Sequence, residues 1–151
     1  MNMRKMSVLG AGALCISGVA AADGMDVTLT FDQIDKGRAV QINYQAGDNW
    51  DSAARLDGWS GGEAGRLKFN DGSFEAFCAE IDVPIAGGVT SSWKEVDIEF
   101  IPSPDPMGAV KADVMRAHFA QNYASLSSND SFAGFAMVIW EIAQEGWNGT
   151  N

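Results

Sequence analysis

The chain has 151 residues, 46% of them hydrophobic, enough for one domain with a real core and too few for two. Its formal net charge is −10, from 20 acidic and 10 basic residues. That balance excludes a nucleic-acid binder, which needs basic surface against phosphate, and argues against adhesion to anionic lipid. The acids are spread along the chain rather than gathered in a run, which reads as a solvated acidic surface.

The N-terminal stretch reads as a leader. Arg4 and Lys5 precede the apolar stretch "MSVLGAGALCISGV", and Ala20 and Ala22 are the small residues of a cleavage site. The expected signal peptide is residues 1–22, leaving a single secreted domain over 23–151. The stretch is too short and glycine-rich to span a membrane, and no later apolar run is long enough either. Cys15 leaves with the leader, so Cys78 is the only cysteine of the mature chain. Exported domains ordinarily use cysteines in pairs, which makes a single one worth following.

"DVTLTF" (26–31) sets Val27, Leu29 and Phe31 at period two, a half-buried strand. "RAVQINYQ" (38–45) repeats the pattern with Val40, Ile42 and Tyr44. Residues 46–65 read as a loop rich in Gly and Asp, carrying Trp50 and Trp59. "RLKFNDGSFEAFCAEIDV" reads as a hairpin about Asn70-Asp71-Gly72, residues that accept positive φ. In its second strand, alternation puts Phe74, Ala76, Cys78, Glu80 and Asp82 on one face and Phe77, Ile81 and Val83 on the other. Apolar residues on both faces predict a central strand, with Cys78 a buried, inert small hydrophobe. Nearby carboxylates raise a thiol's pKa and dull it as a nucleophile.

"PIAGGVTSSW" reads as a loop bearing Trp93. "EVDIEFI" (95–101) alternates Val96, Ile98 and Phe100 with acids and reads as a strand with one wet face. "PSPDP" then stops both helix and sheet. The period changes after it, and "MGAVKADVMRAHFAQNYA" predicts a helix of about five turns. Asp130 or Ser131 is the expected cap of a last helix, "FAGFAMVIWEIAQE", ended by Gly146. Residues 132–140 contain no polar side chain, which predicts a helix buried on every side. Strands first and helices second give an α+β fold, mainly antiparallel β of sandwich or barrel-like form, with two helices in the C-terminal half.

The residues carry little chemistry. The mature chain has one His and one Cys, outside any ligand-spaced cluster, and Asp48, Asp51 and Asp57 do not match a calcium loop. No metal or other cofactor is expected. His118 shares a helix strip with Lys111 and Asn122, which reads as a polar seam. A Cys78–His118 nucleophile–base pair has no support in the spacing.

Three segments resemble a known family. "SFEAFCAEID" resembles the Phe-Cys-x-acid strand of bacterial thioester domains, "GFAMVIWEI" their later helix, and "AHFAQNYAS" the helix before it. The likeness covers roughly residues 64–145 and is greatest to exported thioester-like proteins with a PEP-CTERM sorting tail. The resemblance implies a thioester-domain-like fold in which cysteine and glutamine condense into an internal thioester that captures amines. Cys78 and Trp140 take the family's cysteine and tryptophan positions, but Ala136 stands where the glutamine belongs. An alanine methyl is no acyl donor. Gln144, eight residues on, is displaced by about 12 Å along the helix, and Gln121 lies in the preceding helix.

The family's further strands and tail do not follow "EGWNGTN", which leaves a truncated sequence or a freely released protein. The glycosylation sequons at Asn129 and Asn148 are read as chance matches in a bacterial chain. The expectation is thus a non-enzymatic module of the cell surface or extracellular matrix, with extracellular polysaccharide or surface proteins as partners. The alternatives are a covalent adhesin with a live thioester at Cys78, a carbohydrate-binding module stacking sugars on Trp50, Trp59 and Trp93, and a thiol enzyme.

Overall fold

The computed structural model describes residues 26–40, 62–79, 85–94, 96–101 and 106–144. The leader, Trp50, Trp59, the loop acids Asp48, Asp51 and Asp57, and Glu80, Asp82 and Gly146 lie outside them. Four strands come first: β1 (Asp26–Val40), β2 (Gly62–Phe69), β3 (Phe74–Ala76) and β4 (Thr90–Lys94). Two helices follow, α1 (Gly108–Asn122) and α2 (Asn129–Gln144), with single 3-10 turns at Ile98–Phe100 and Tyr123–Ser125. The strands form one antiparallel sheet in the order β3-β2-β1-β4, curled into a half-barrel, so the class is α+β. Among the described residues no helix is long and apolar enough to cross a membrane.

β1 organises the sheet. The sequence predicts two strands at 26–31 and 38–45, but the chain runs through "DQIDKG" as one strand of 15 residues. Its first part, Asp26–Thr30, pairs with β4, and Phe31–Val40 pairs with β2. Register shifts between Phe31 and Gln33 and between Ile34 and Lys36 insert extra residues. The first reverses the parity of the strand, so that Leu29, Phe31 and Ile34 all serve the same apolar cluster. Gly37 and Gly65 face each other farther along. A Cβ on Gly65 would fall 2.6 Å from the Gly37 Cα, so the two strands approach there as only glycines allow.

The β2–β3 hairpin follows the sequence closely. Asn70, Asp71 and Gly72 take φ of 52°, 56° and 76°. The turn also docks on β1: Asn70 Oδ1 accepts from the Thr30 amide at 2.9 Å, and Asp32 Oδ2 accepts from the Gly72 amide at 3.0 Å. β3, however, is short and lies at the edge of the sheet, not at its centre. Both of its faces are apolar because both faces of the sheet are covered. Ala76 and Cys78 join one cluster, and Phe77 and Ala79 the other.

Three further expectations are corrected. Residues 90–94 form an edge strand rather than a loop, because the N-terminal part of β1 needs a hydrogen-bonded neighbour. Strand β2 begins at Gly62, inside the predicted loop. Residues 98–100 form a 3-10 turn rather than a strand; local bonds from Phe100 N to Asp97 O (2.9 Å) and Ile101 N to Ile98 O (3.3 Å) take the place of a ladder.

The helices lie where the change of period puts them. The cap of α2 is Ser128, two to three residues ahead of the expected Asp130 or Ser131. Its hydroxyl accepts from the Ser131 amide at 3.1 Å, and Ser131 Oγ in return accepts from the Ser127 and Ser128 amides. Helix α2 is not buried all round. Phe132, Phe135, Ala136, Ile139, Trp140 and Ala143 face the core, while Met137 and Val138 are 44% and 41% exposed.

Candidate functional site

Alternation along the strands divides the sheet into two unlike faces. One face, made by strand residues, carries Leu29, Phe31, Leu67, Phe69 and Ala76, with Cys78 and Trp93 packed against them. The other carries Ala64, Phe77 and Ala79 and receives both helices. On this helix-covered face lies the densest group of charges among the described residues.

Arg66, from the middle of β2, is its centre. It donates from Nε to Asp35 Oδ1 at 2.8 Å and from Nη2 to Asp35 Oδ2 at 2.6 Å, a two-pronged bond that a lysine cannot make. Its Nη1 lies 3.0 Å from Glu75 Oε1 on β3, and its guanidinium carbon stands 4.8 Å above the ring of Phe132 on α2. Lys68 Nζ adds a second cation, 3.0 Å from Asp35 Oδ2. Tyr123, past the end of α1, donates its hydroxyl to Glu75 Oε2 at 3.3 Å. The group therefore ties three strands to both helical segments.

The electrostatics follow from that geometry. Burial pushes the Asp35 carboxyl up, but the hydrogen bonds and charges of Arg66 and Lys68 outweigh it and hold it below its ordinary value. Hydrogen bonding to Asp35, reinforced by the charge of Glu75, raises Arg66 further into its charged form. Burial, and then the Glu75 charge, push the Tyr123 phenol up, so it stays protonated and donating. Two cations meet two carboxylates, and the arrangement is saturated by its own partners. It is built to hold elements together.

The residues singled out in the sequence fall on both faces. Ala136 is 1% exposed and shares the helix-side cluster with Trp140, whose Nε1 is buried without a hydrogen-bond partner among the described residues. Cys78 is half-buried against the other cluster, so the structure does not bring it into the company of Ala136 and Trp140. Gln121 is exposed on α1. Trp93 is a strand residue, packed edge-on to Phe69 with centroids 6.1 Å apart and its Nε1 buried. No three His, Cys, Asp or Glu side chains among the described residues are grouped to hold a metal.

His118, Lys111 and Asn122 do form a seam, and it faces α2. Lys111 Nζ donates to the Ala143 carbonyl at 3.3 Å, and His118 Nε2 lies 3.3 Å from the Phe135 carbonyl. The ion group escaped the sequence because Asp35 and Arg66 are separated by 31 positions and meet only through the irregularity in β1. The available signal was two basic residues, Arg66 and Lys68, at period two in a strand otherwise apolar on its opposite face. Comparison with family models, curated proteins and solved structures finds no match to this chain.

Proposed function

We propose that the chain is an exported, non-catalytic module of the cell surface or extracellular matrix, resembling a thioester domain that has lost its bond-forming pair. Extracellular polysaccharide or surface proteins are the partners that this resemblance implies. The observation that carries the reading is the setting of Ala136. It stands where the resemblance puts the acyl donor, has no group to donate, and is packed into the helix-side cluster while Cys78 packs against the other. The ion group supports the same reading, since its charged atoms are engaged with one another.

The test is an intact mass of the secreted protein, with and without methylamine and a thiol alkylator. The expected result is a chain beginning at Ala22 or Asp23, of full mass, unaltered by methylamine and alkylated once after denaturation. A mass lower by one ammonia and restored by the amine overturns the reading, and an uncleaved leader overturns export. The carbohydrate-binding alternative is weakened by Trp93, whose ring packs into the sheet; it then rests on Trp50 and Trp59, outside the described residues. Tryptophan fluorescence that stays constant on titration with acidic and neutral polysaccharides would count against it.

A further inference from the structure

His118 is half-buried between the two helices, and its surroundings select one protonation state. The imidazole stacks on Phe135 of α2, with centroids 4.2 Å apart and planes inclined by 21°. Its Nε2 faces the Phe135 carbonyl at 3.3 Å. Its Nδ1 faces Nδ2 of Asn122, one turn on, also at 3.3 Å. The same amide nitrogen donates to the backbone carbonyl of His118 at 3.0 Å. An amide nitrogen has two hydrogens and accepts nothing. One hydrogen goes to the carbonyl and the other to Nδ1. Turning the amide over would set its oxygen against the carbonyl oxygen. Nδ1 must therefore accept, and the ring's one proton resides on Nε2, donated across the helix pair to Phe135.

The charged groups around the ring are otherwise engaged. On α1, Lys111 bonds the Ala143 carbonyl, and Arg116 pairs with Asp113 at 2.7 Å. On α2 the charged side chains are Asp130, paired with Arg38, and Glu141, more than a turn beyond Phe135. From the sheet, Glu75 reaches this region through Tyr123 but is paired with Arg66. The ring meets a carbonyl and an amide nitrogen.

We propose that His118 is an acid-sensitive latch between α1 and α2, closed by the neutral imidazole and opened by protonation at Nδ1. The added proton has a donor in front of it, so the Asn122 bond is lost and a charge is left beside Phe135. The rings of Phe77 and Phe119, 4.9 and 4.8 Å from Phe135, lie directly beneath. Opening at this level uncovers an aromatic surface that continues through Phe77 to Phe132. Burial pushes the imidazole's pKa down, with the Phe135 carbonyl opposing in part. The folded state thus binds fewer protons than the unfolded one. The contribution is fully present above the ordinary histidine value of about 6.5 and is lost as pH falls below it, through the lowered folded value.

The chain contains one histidine, so untagged protein gives a single imidazole signal. Nitrogen-15 NMR should show the Nε2–H tautomer at pH 7.5 and a titration midpoint below about 6.5. Asn122→Asp places an acceptor at Nδ1 and should raise the midpoint by about one unit. Native-state hydrogen exchange of the α2 amides should accelerate between pH 7.5 and 5 beyond the intrinsic pH effect, and His118→Gln should remove that excess. A Nδ1–H tautomer, or a midpoint at or above the ordinary value, overturns the proposal even if the variants fail to fold. So does a His118→Gln protein that keeps the excess acceleration.

Discussion

The two faces of the sheet solve the same problem differently. On one, apolar side chains from neighbouring strands meet each other, with Phe69 as a hub for Phe31, Phe74 and Trp93. On the other, the strands present Arg66, Lys68, Asp35 and Glu75 beside Ala64 and Phe77, and helices cover them. The first face needs only apolar packing. The second must also satisfy charges away from bulk water, where a removed partner leaves an uncompensated ion. The difference makes the helix-covered face the more specific of the two, because its charges fit one register of β1 against β2.

The most severe test removes a ring from each face. Phe69→Ala and Phe77→Ala, both almost fully buried, should each cost about 4 kcal/mol in urea unfolding. Phe77→Ala should strip hydrogen-exchange protection from the helices more than from β1 and β2, and Phe69→Ala the reverse; identical patterns would mean that the faces do not act separately. Next in size, Arg66→Met should cost about 3 kcal/mol, since Glu75 loses its cation and Asp35 keeps only Lys68. Asp35 also gives this variant a pH signature. Its folded pKa is lowered, so its contribution is present above the unfolded value of about 3.9 and lost as pH falls below that. An acid limb below pH 4 in the wild type that flattens in Arg66→Met would sharpen the comparison. Gly65→Ala should follow at about 2 kcal/mol, read by thermal unfolding, because the new methyl meets the facing strand. Cys78→Ala should cost least, about 1 kcal/mol by the same measurement, as a small group removed from a half-buried site. A loss several times larger would give the thiol a role beyond packing.

What was legible in the sequence was local. "NDG" states its own turn, since left-handed φ at three successive positions is tolerated by few other residues. The alternation in "FEAFCA" correctly divides Phe77 from Ala76 and Cys78, and the change of period after the prolines places α1 and α2. What failed depended on partners. "EVDIEFI" alternates like a strand, yet Ile98–Phe100 close 3-10 bonds on themselves. "TSSWK" lacks a strong strand pattern and becomes one by lying beside β1. The candidate site was readable only as residue types. Ala136 and Trp140 do share a cluster, but that Cys78 lies on the far side of the sheet depends on which face of β3 the helices cover, which alternation alone does not state. The ion group needed the bulges in β1, so a period-two reading of that strand had no way to bring Asp35 to Arg66.

The change of partner midway along β1 has a consequence for how the molecule forms. Thr30 and Phe31 are the hinge of two ladders, one closing on β2 and the other on β4. The far end of the strand, paired with β2, also meets α2, where Arg38 reaches Asp130, 92 positions later. Such distant contacts slow folding, because chain entropy is lost before any contact repays it. The first described strand to leave the ribosome therefore takes its last partner only once α2 exists, whereas a chain synthesised as far as β4 already holds the Asp35, Arg66 and Glu75 contacts that set β1 against β2 and lacks only the helices that cover them.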